Sequence, residues 1–137
     1  MSATLLIRDE TPGGPTFQEW SLEVLTERIT VRELIRSRVY QEVQDFNQAQ
    51  LKSQVEGAEY RGLVQPTDSE RTLNGFRLKT PRQIDWKGQF EKAIEAFESN
   101  QVLMLVNERQ VESLEEEIVV VPGTEATFLR LTLLVGG

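Results

Sequence analysis

Apolar residues along the 137-residue chain recur at two different periods, and the changes of period mark its elements. Thr4-Leu5-Leu6-Ile7-Arg8 is a short apolar run that leads into Thr11-Pro12-Gly13-Gly14-Pro15, a segment that only a turn or loop accommodates. Beyond it, Trp20, Leu22 and Val24 alternate with Glu19, Ser21 and Glu23, the two-residue period of a strand with one buried and one wet face. The first 25 residues therefore predict a β-hairpin. The period then lengthens: Val31, Leu34, Ile35, Val39, Val43 and Phe46 follow at steps of three and four. Thr30-Val31-Arg32-Glu33 has the spacing of a capping box, in which hydroxyl and carboxylate satisfy the orphan amides of a helix start. Together these predict a helix over 31–52 with Arg32, Arg36, Arg38, Glu42 and Asp45 facing water.

From 57 to 85 both periods dissolve into Gly, Pro, Asp and Ser, which predicts an exposed, mobile excursion. Within it, Asn74-Gly75 between Thr72-Leu73 and Phe76-Arg77-Leu78 predicts one small hairpin. Asp85 is placed to cap a second helix ending near Asn100, whose Trp86, Phe90, Ile94 and Phe97 form a stripe expected to be mostly buried. Val102 to Val106 is apolar and of strand length, and Asn107-Glu108-Arg109-Gln110 is a polar reversal before Val111. Ile118 to Val121 predicts another strand and Pro122-Gly123-Thr124-Glu125 a turn. In the last strand, Phe128 to Leu134, Leu129, Leu131 and Leu133 alternate with Phe128, Arg130 and Thr132. Hairpin, helix, loop, second helix and three strands predict an α+β roll, a sheet with a helix on one face and the last strand beside the first.

Composition narrows the chemistry. Hydrophobic residues at 39% and charged residues at 27% suit one modest core, and the length suits a single domain over 1–137. With neither Cys nor His, thiol and imidazole catalysis, disulfides and most transition-metal sites are excluded. The 15 Lys+Arg against 22 Asp+Glu give a net charge of -7, the wrong sign for gripping nucleic acid or an anionic membrane. No apolar run reaches membrane-span length and residues 1–10 lack the pattern of a signal peptide, so the expected location is the cytoplasm.

The order of elements and the final Gly136-Gly137 resemble the ubiquitin-like β-grasp family. The resemblance is best over 101–137, where Val102-Leu103-Met104-Leu105-Val106-Asn107-Glu108-Arg109-Gln110-Val111 looks like the family's third strand and turn, and Phe128 to Gly137 like its last strand and tail. It is fair over 3–52 and absent over 57–99, which would be an insertion of loop and second helix. The Arg-Gln-Val turn, Leu114-Glu115-Glu116-Glu117-Ile118 and the Leu-Leu-Val-Gly-Gly end are similar to bacterial ubiquitin-like proteins that work with activating-enzyme, conjugating-enzyme and peptidase partners. The resemblance implies a protein modifier, itself no enzyme and without a cofactor of its own, since the activating enzyme uses the ATP. Its C-terminal glycine would be adenylated and passed through an enzyme thiol to an amine of a target protein. A carboxylate is a poor electrophile until adenylated, and glycines without Cβ let the chain enter a narrow channel. Gly136 and Gly137 fit that role, and Leu134 and Val135 fit an extended stretch held by an activating enzyme, so residues 134–137 are expected as an exposed, flexible tail.

Other candidates are weaker in kind. Three consecutive glutamates, Glu115 to Glu117, do not converge on one cation and read as solvated charge. Strand alternation puts either Leu103 and Leu105 or Met104 and Val106 on an open face, and Leu103, Leu105, Phe128 and Arg130 are the expected partner patch. Two rival functions stand beside the modifier: a sulfur carrier, which shares the fold and the diglycine end but forms a C-terminal thiocarboxylate, and a non-covalent scaffold that self-associates through sheet edges or the inserted segment and never uses its tail.

Overall fold

The alternating segments at the two ends of the chain come together in one sheet. The computed structural model describes residues 3–13, 16–52, 59–72 and 75–131. Strands β1 (Ala3–Glu10), β2 (Thr16–Val24) and β3 (Arg28–Thr30) lead into helix α1 (Val31–Lys52). Then come β4 (Glu59–Tyr60), β5 (Ser69–Arg71), β6 (Phe76–Leu78) and helix α2 (Trp86–Glu98). Last are β7 (Val102–Val106), β8 (Arg109–Val111), β9 (Glu117–Val119) and β10 (Glu125–Arg130). Among the described residues the fold is α+β, with a mixed sheet and two helices. The chain divides into two compact units, Met1–Leu34 with Glu95–Gly137, and Ile35–Ile94, so the division falls within both helices.

The first unit is built on a sheet of order β2-β1-β10-β7-β8. Its first and last strands lie side by side and parallel, Ile7 opposite Ala126 and Asp9 opposite Phe128, while the other pairings are antiparallel. Residues opposite one another share a face. One face therefore carries Leu5, Ile7, Leu22, Met104, Ala126 and Phe128, all buried. Asn107 and Glu108, both at positive φ (48° and 73°), make the two-residue turn from β7 to β8 whose hand suits a twisted hairpin. Gly123 at φ 92° follows Pro122 in the turn before β10. β3 and β9 form a separate antiparallel ribbon, Arg28 opposite Val119 and Thr30 opposite Glu117. At the start of α1 the capping box is present, with the Glu33 amide donating to Thr30 Oγ1 at 3.1 Å and the Thr30 amide to Glu33 Oε1 at 3.3 Å. At the end of α2, Asn100 takes φ 62° and the Gln101 amide reaches back to the Ala96 carbonyl at 2.9 Å, a left-handed cap that stops the helix.

The second unit corrects the reading of 57–85 as an exposed excursion. Tyr60, Leu63, Phe76, Leu78 and Ile84 are buried, and β4, β6 and β5 form a small sheet of their own. The expected hairpin is β5 with β6, although Leu73 and Asn74 lie outside the described residues. Two glycines that suggest looseness are requirements of packing. A Cβ on Gly62 would fall 2.1 Å from the Tyr60 ring, and one on Gly75 would fall 2.5 Å from the Tyr60 carbonyl. Only glycine lets the chain pass so close to Tyr60, whose ring meets Phe46 edge-on at 5.4 Å. The stretch that follows has no ladder, so side chains satisfy its carbonyls. Gln89 Nε2 donates to Val64 at 3.1 Å, Lys92 Nζ to Gln65 at 3.2 Å, Ser69 Oγ to Pro66 at 2.7 Å, and the Arg82 guanidinium to Thr67.

Both helices differ in detail from their periodicity. Arg38, expected in water, is fully buried because Glu42, one turn on, takes its Nε and Nη2 at 3.0 Å each, while Glu42 also accepts the Leu63 amide at 3.3 Å. In α2 the deepest positions are Gln89, Ala93, Ala96 and Phe97, whereas Trp86, Phe90 and Ile94 are half-buried. Ala93 and Ala96 occupy the middle of the buried face, with Gln89 and Phe97 one turn to either side of Ala93. Trp86 stands edge-on to Tyr40 at 5.4 Å and lies under the Arg36 guanidinium at 5.2 Å.

Two expectations follow for stability. Phe97→Ala should cost about 3–5 kcal/mol, the range for a buried aromatic, and half-buried Phe90→Ala roughly half that or less, as read by urea denaturation. Equal costs would contradict this burial pattern. Glu59 provides a pH test: the Thr72 hydroxyl, 2.5 Å from its Oε2, holds its carboxyl below the usual carboxylate range against the upward push of desolvation, with help from Arg61 and Arg77. A depressed pKa stabilises the fold above the unfolded value and ceases to do so as pH falls through the folded one. The stability difference between wild type and Glu59→Gln should therefore be present at neutral pH and shrink below about pH 4.5. A difference that does not change with pH would contradict it.

Candidate functional site

The end of β10 leads toward the predicted tail, so the site is built up from there. Leu129 pairs with Leu103 and Arg130 with Val102, and one residue later the Leu131 amide still donates to the Gln101 carbonyl at 2.8 Å. Arg130 continues the buried parity of Ala126 and Phe128, as Asp9 continues that of Leu5 and Ile7. Two charges of opposite sign thus share the apolar face. Arg130 Nη2 donates to Asp9 Oδ2 at 3.1 Å, and Gln18 Nε2 donates to the same oxygen at 3.1 Å. Side-chain exposures of 8% and 0% set this pair apart from the surface bridge of Arg8 to Glu19 at 34% and 49%. An exposed pair is worth about 0–1 kcal/mol, but removing one partner of a buried pair strands the other charge at several times that cost.

Among the described residues, the opposite face of the sheet is the more exposed one. Leu6, Leu103, Leu105 and Leu129 are half-buried there, beside Arg8, which pairs with Glu19 at 3.0 Å and Glu125 at 2.8 Å. This corrects the expected patch of Leu103, Leu105, Phe128 and Arg130. In register, Phe128 faces Met104 and Arg130 faces Val102, so both are buried on the far side from Leu103 and Leu105. The residues that share the open face with the two leucines are Leu6 and Leu129. Strand alternation alone leaves the choice of face open. The signal that decides it is the Asp9 and Arg130 pair, each the single charge at the end of an apolar i, i+2 series.

Gly136, Gly137, Leu134 and Val135 lie outside the described residues. Glu115 and Glu116 turn to different cations, Arg32 at 2.7 Å and Arg109 at 2.7 Å. Among the described residues, no group of three or more acidic side chains is placed to hold a metal ion. No helix among them is long and apolar enough to cross a membrane. Charge is divided unequally between the units: the first holds 5 of the 15 Lys+Arg and 14 of the 22 Asp+Glu, the second 10 and 8. No protein-family model, curated protein or solved structure matches the chain.

Asp9→Ala should destabilise the protein by about 3–5 kcal/mol in chemical denaturation, because it removes the buried carboxylate 3.1 Å from the Arg130 guanidinium. The double variant Asp9→Leu with Arg130→Met should recover most of that loss. A single variant as stable as wild type would show that the pair carries no structural weight.

Proposed function

We propose that the chain is a protein modifier of the ubiquitin-like β-grasp kind, a substrate of conjugation and not an enzyme. The observation that carries this reading is the sheet. A first strand lies parallel to the last, with β7 and β8 beyond it, and the residues after β10 end in Leu-Leu-Val-Gly-Gly. A last strand fixed beside the first gives a rigid base from which a short tail can be presented to another protein. In this reading the Gly137 carboxylate attacks the α-phosphorus of ATP on an activating enzyme, pyrophosphate leaves, and AMP leaves in turn when an enzyme thiol attacks the acyl-adenylate. The acyl group then passes to a target amine, which expels the thiol and forms an amide. Leu134 and Val135 lie along the activating enzyme's channel, and Gly136 and Gly137 keep the path to the adenylate clear of side chains.

The open face supplies the recognition surface. Leu6, Leu103, Leu105 and Leu129, bordered by the Arg8 pairs, form an apolar area with charge at its margin, the composition of a protein-binding surface. Activating enzyme, conjugating enzyme and deconjugating peptidase are the partners this reading requires, and the cytoplasm is where it places them.

Deleting Gly136 and Gly137 should leave the melting temperature nearly unchanged, since no core side chain is lost, yet abolish ATP-dependent transfer. Gly137→Ala should impair transfer without unfolding. Mass spectrometry of conjugates should find an amide through Gly137 on a target lysine. Transfer by the deletion variant would refute the proposal.

A further inference from the structure

We propose that the outer edge of β9 is an addition site for an extended, basic and apolar segment of a partner protein. Among the described residues β9 pairs only with β3. On that side the Val120 amide donates to the Glu27 carbonyl at 2.7 Å and the Val31 amide to the Glu116 carbonyl at 2.9 Å. Antiparallel pairing alternates, so residues 116, 118 and 120 direct their main-chain groups at β3 and its neighbours, and Glu117 and Val119 direct theirs away. That outward edge borders a groove of about 440 Å³ lined by Val106, Asn107, Arg109, Glu117, Ile118 and Val119. The far wall is the β7–β8 turn, anchored to β10 by the Asn107 amide on the Glu125 carbonyl at 2.9 Å and by Asn107 Oδ1 accepting the Glu125 amide at 3.0 Å. Both walls are thus held in place before any partner arrives.

Two features identify the occupant. Val119 and Val121 are 52% and 51% exposed at alternate positions, the spacing at which an added strand would set its own apolar side chains beside them. Proteins usually guard such an edge with charge or proline, and valines left there mark a pairing site. Arg28 lies exposed on the inner side of the ribbon, opposite Val119, but among the described residues the unpaired charge at the outer edge and the far turn is acidic. Arg109 is engaged by Glu116 at 2.7 Å and Arg32 by Glu115 at 2.7 Å, whereas Glu108 and Glu117 are exposed and have no ion pair among the described residues. A strand alternating apolar residues with Lys or Arg satisfies both features: its main chain bonds to Glu117 and Val119, its apolar side chains cover the valines, and its cations meet the glutamates. This surface is separate from Leu6, Leu103, Leu105 and Leu129 of the sheet face.

The test uses the full chain and a labelled Lys-Val-Lys-Val-Lys-Val peptide, followed by fluorescence anisotropy and by backbone NMR shifts. Shifts should concentrate in 106–110 and 117–121. The Glu-Val counterpart, and a Lys-Val peptide with alternate amides N-methylated, should fail to bind. Val119→Lys and Glu117→Lys should each weaken binding at least about tenfold, with unchanged melting temperature because both side chains are exposed. Deleting Gly136 and Gly137 should leave the affinity unchanged, which keeps this proposal separable from the modifier reading. Absence of binding, equal binding of acidic and basic peptides, shifts elsewhere, or an inert Val119→Lys would overturn it. So would concentration-dependent self-association abolished by Val119→Lys, which would make a second copy the occupant.

Discussion

The ion pair between Asp9 and Arg130 selects the register in which the first and last strands meet. A slip of one residue between β1 and β10 would turn one of the charges to the opposite face and leave its partner buried alone. A slip of two would keep the face but pull the charges apart, again stranding a guanidinium or a carboxylate away from water. Apolar side chains such as Ile7, Ala126 and Phe128 tolerate many arrangements, because burial is not directional. Two opposite charges at 3.1 Å tolerate few, and Gln18 on β2 makes the constraint extend across a third strand.

Much of the architecture was legible from the periodicities, and the misreadings share a cause. The extent of α1, the hairpin and the strand at Val102 to Val106 each rest on five or more residues of consistent pattern, and the capping box on the fixed spacing of Thr30 and Glu33. β3 has only three residues, Arg28-Ile29-Thr30, and finds its pairing in β9, which no local signal announces. The segment around Tyr60 was misread because glycine is ambiguous in sequence: at Gly62 and Gly75 it marks a close approach and not freedom. Arg38 was placed in water by its charge, but Glu42 at i+4 makes its burial affordable. The partner patch failed on parity alone, since strand alternation defines two faces without naming the one inside. The tail residues 134–137 fall outside the described residues, so the proposal about them rests on their sequence and on the strand that leads to them.

The division of charge bears on which partners each unit can meet. The unit with the sheet carries most of the acidic residues and no lysine, whereas Lys52, Lys79, Lys87 and Lys92 all fall in Ile35–Ile94. If the carboxylate of one chain were passed to another copy, an acceptor side chain would have to come from the second unit. Of its lysines, Lys92 already donates to Gln65 and Thr67, while Lys79 and Lys87 are exposed. A basic partner, by contrast, would be drawn to the first unit, where association would be faster at low salt.

The central claim is that chemistry takes place at the carboxylate of Gly137 and that the chain is passed on as an acyl group. Intact-mass measurement of the chain after incubation with ATP and a partner activating enzyme, quenched with hydroxylamine, addresses it most directly. The account predicts conversion of the full chain to its C-terminal hydroxamate, dependent on ATP, because hydroxylamine captures an adenylate or thioester. An unchanged mass would contradict the account, and a chain isolated from its cells with sulfur in place of one carboxylate oxygen would identify a sulfur carrier instead.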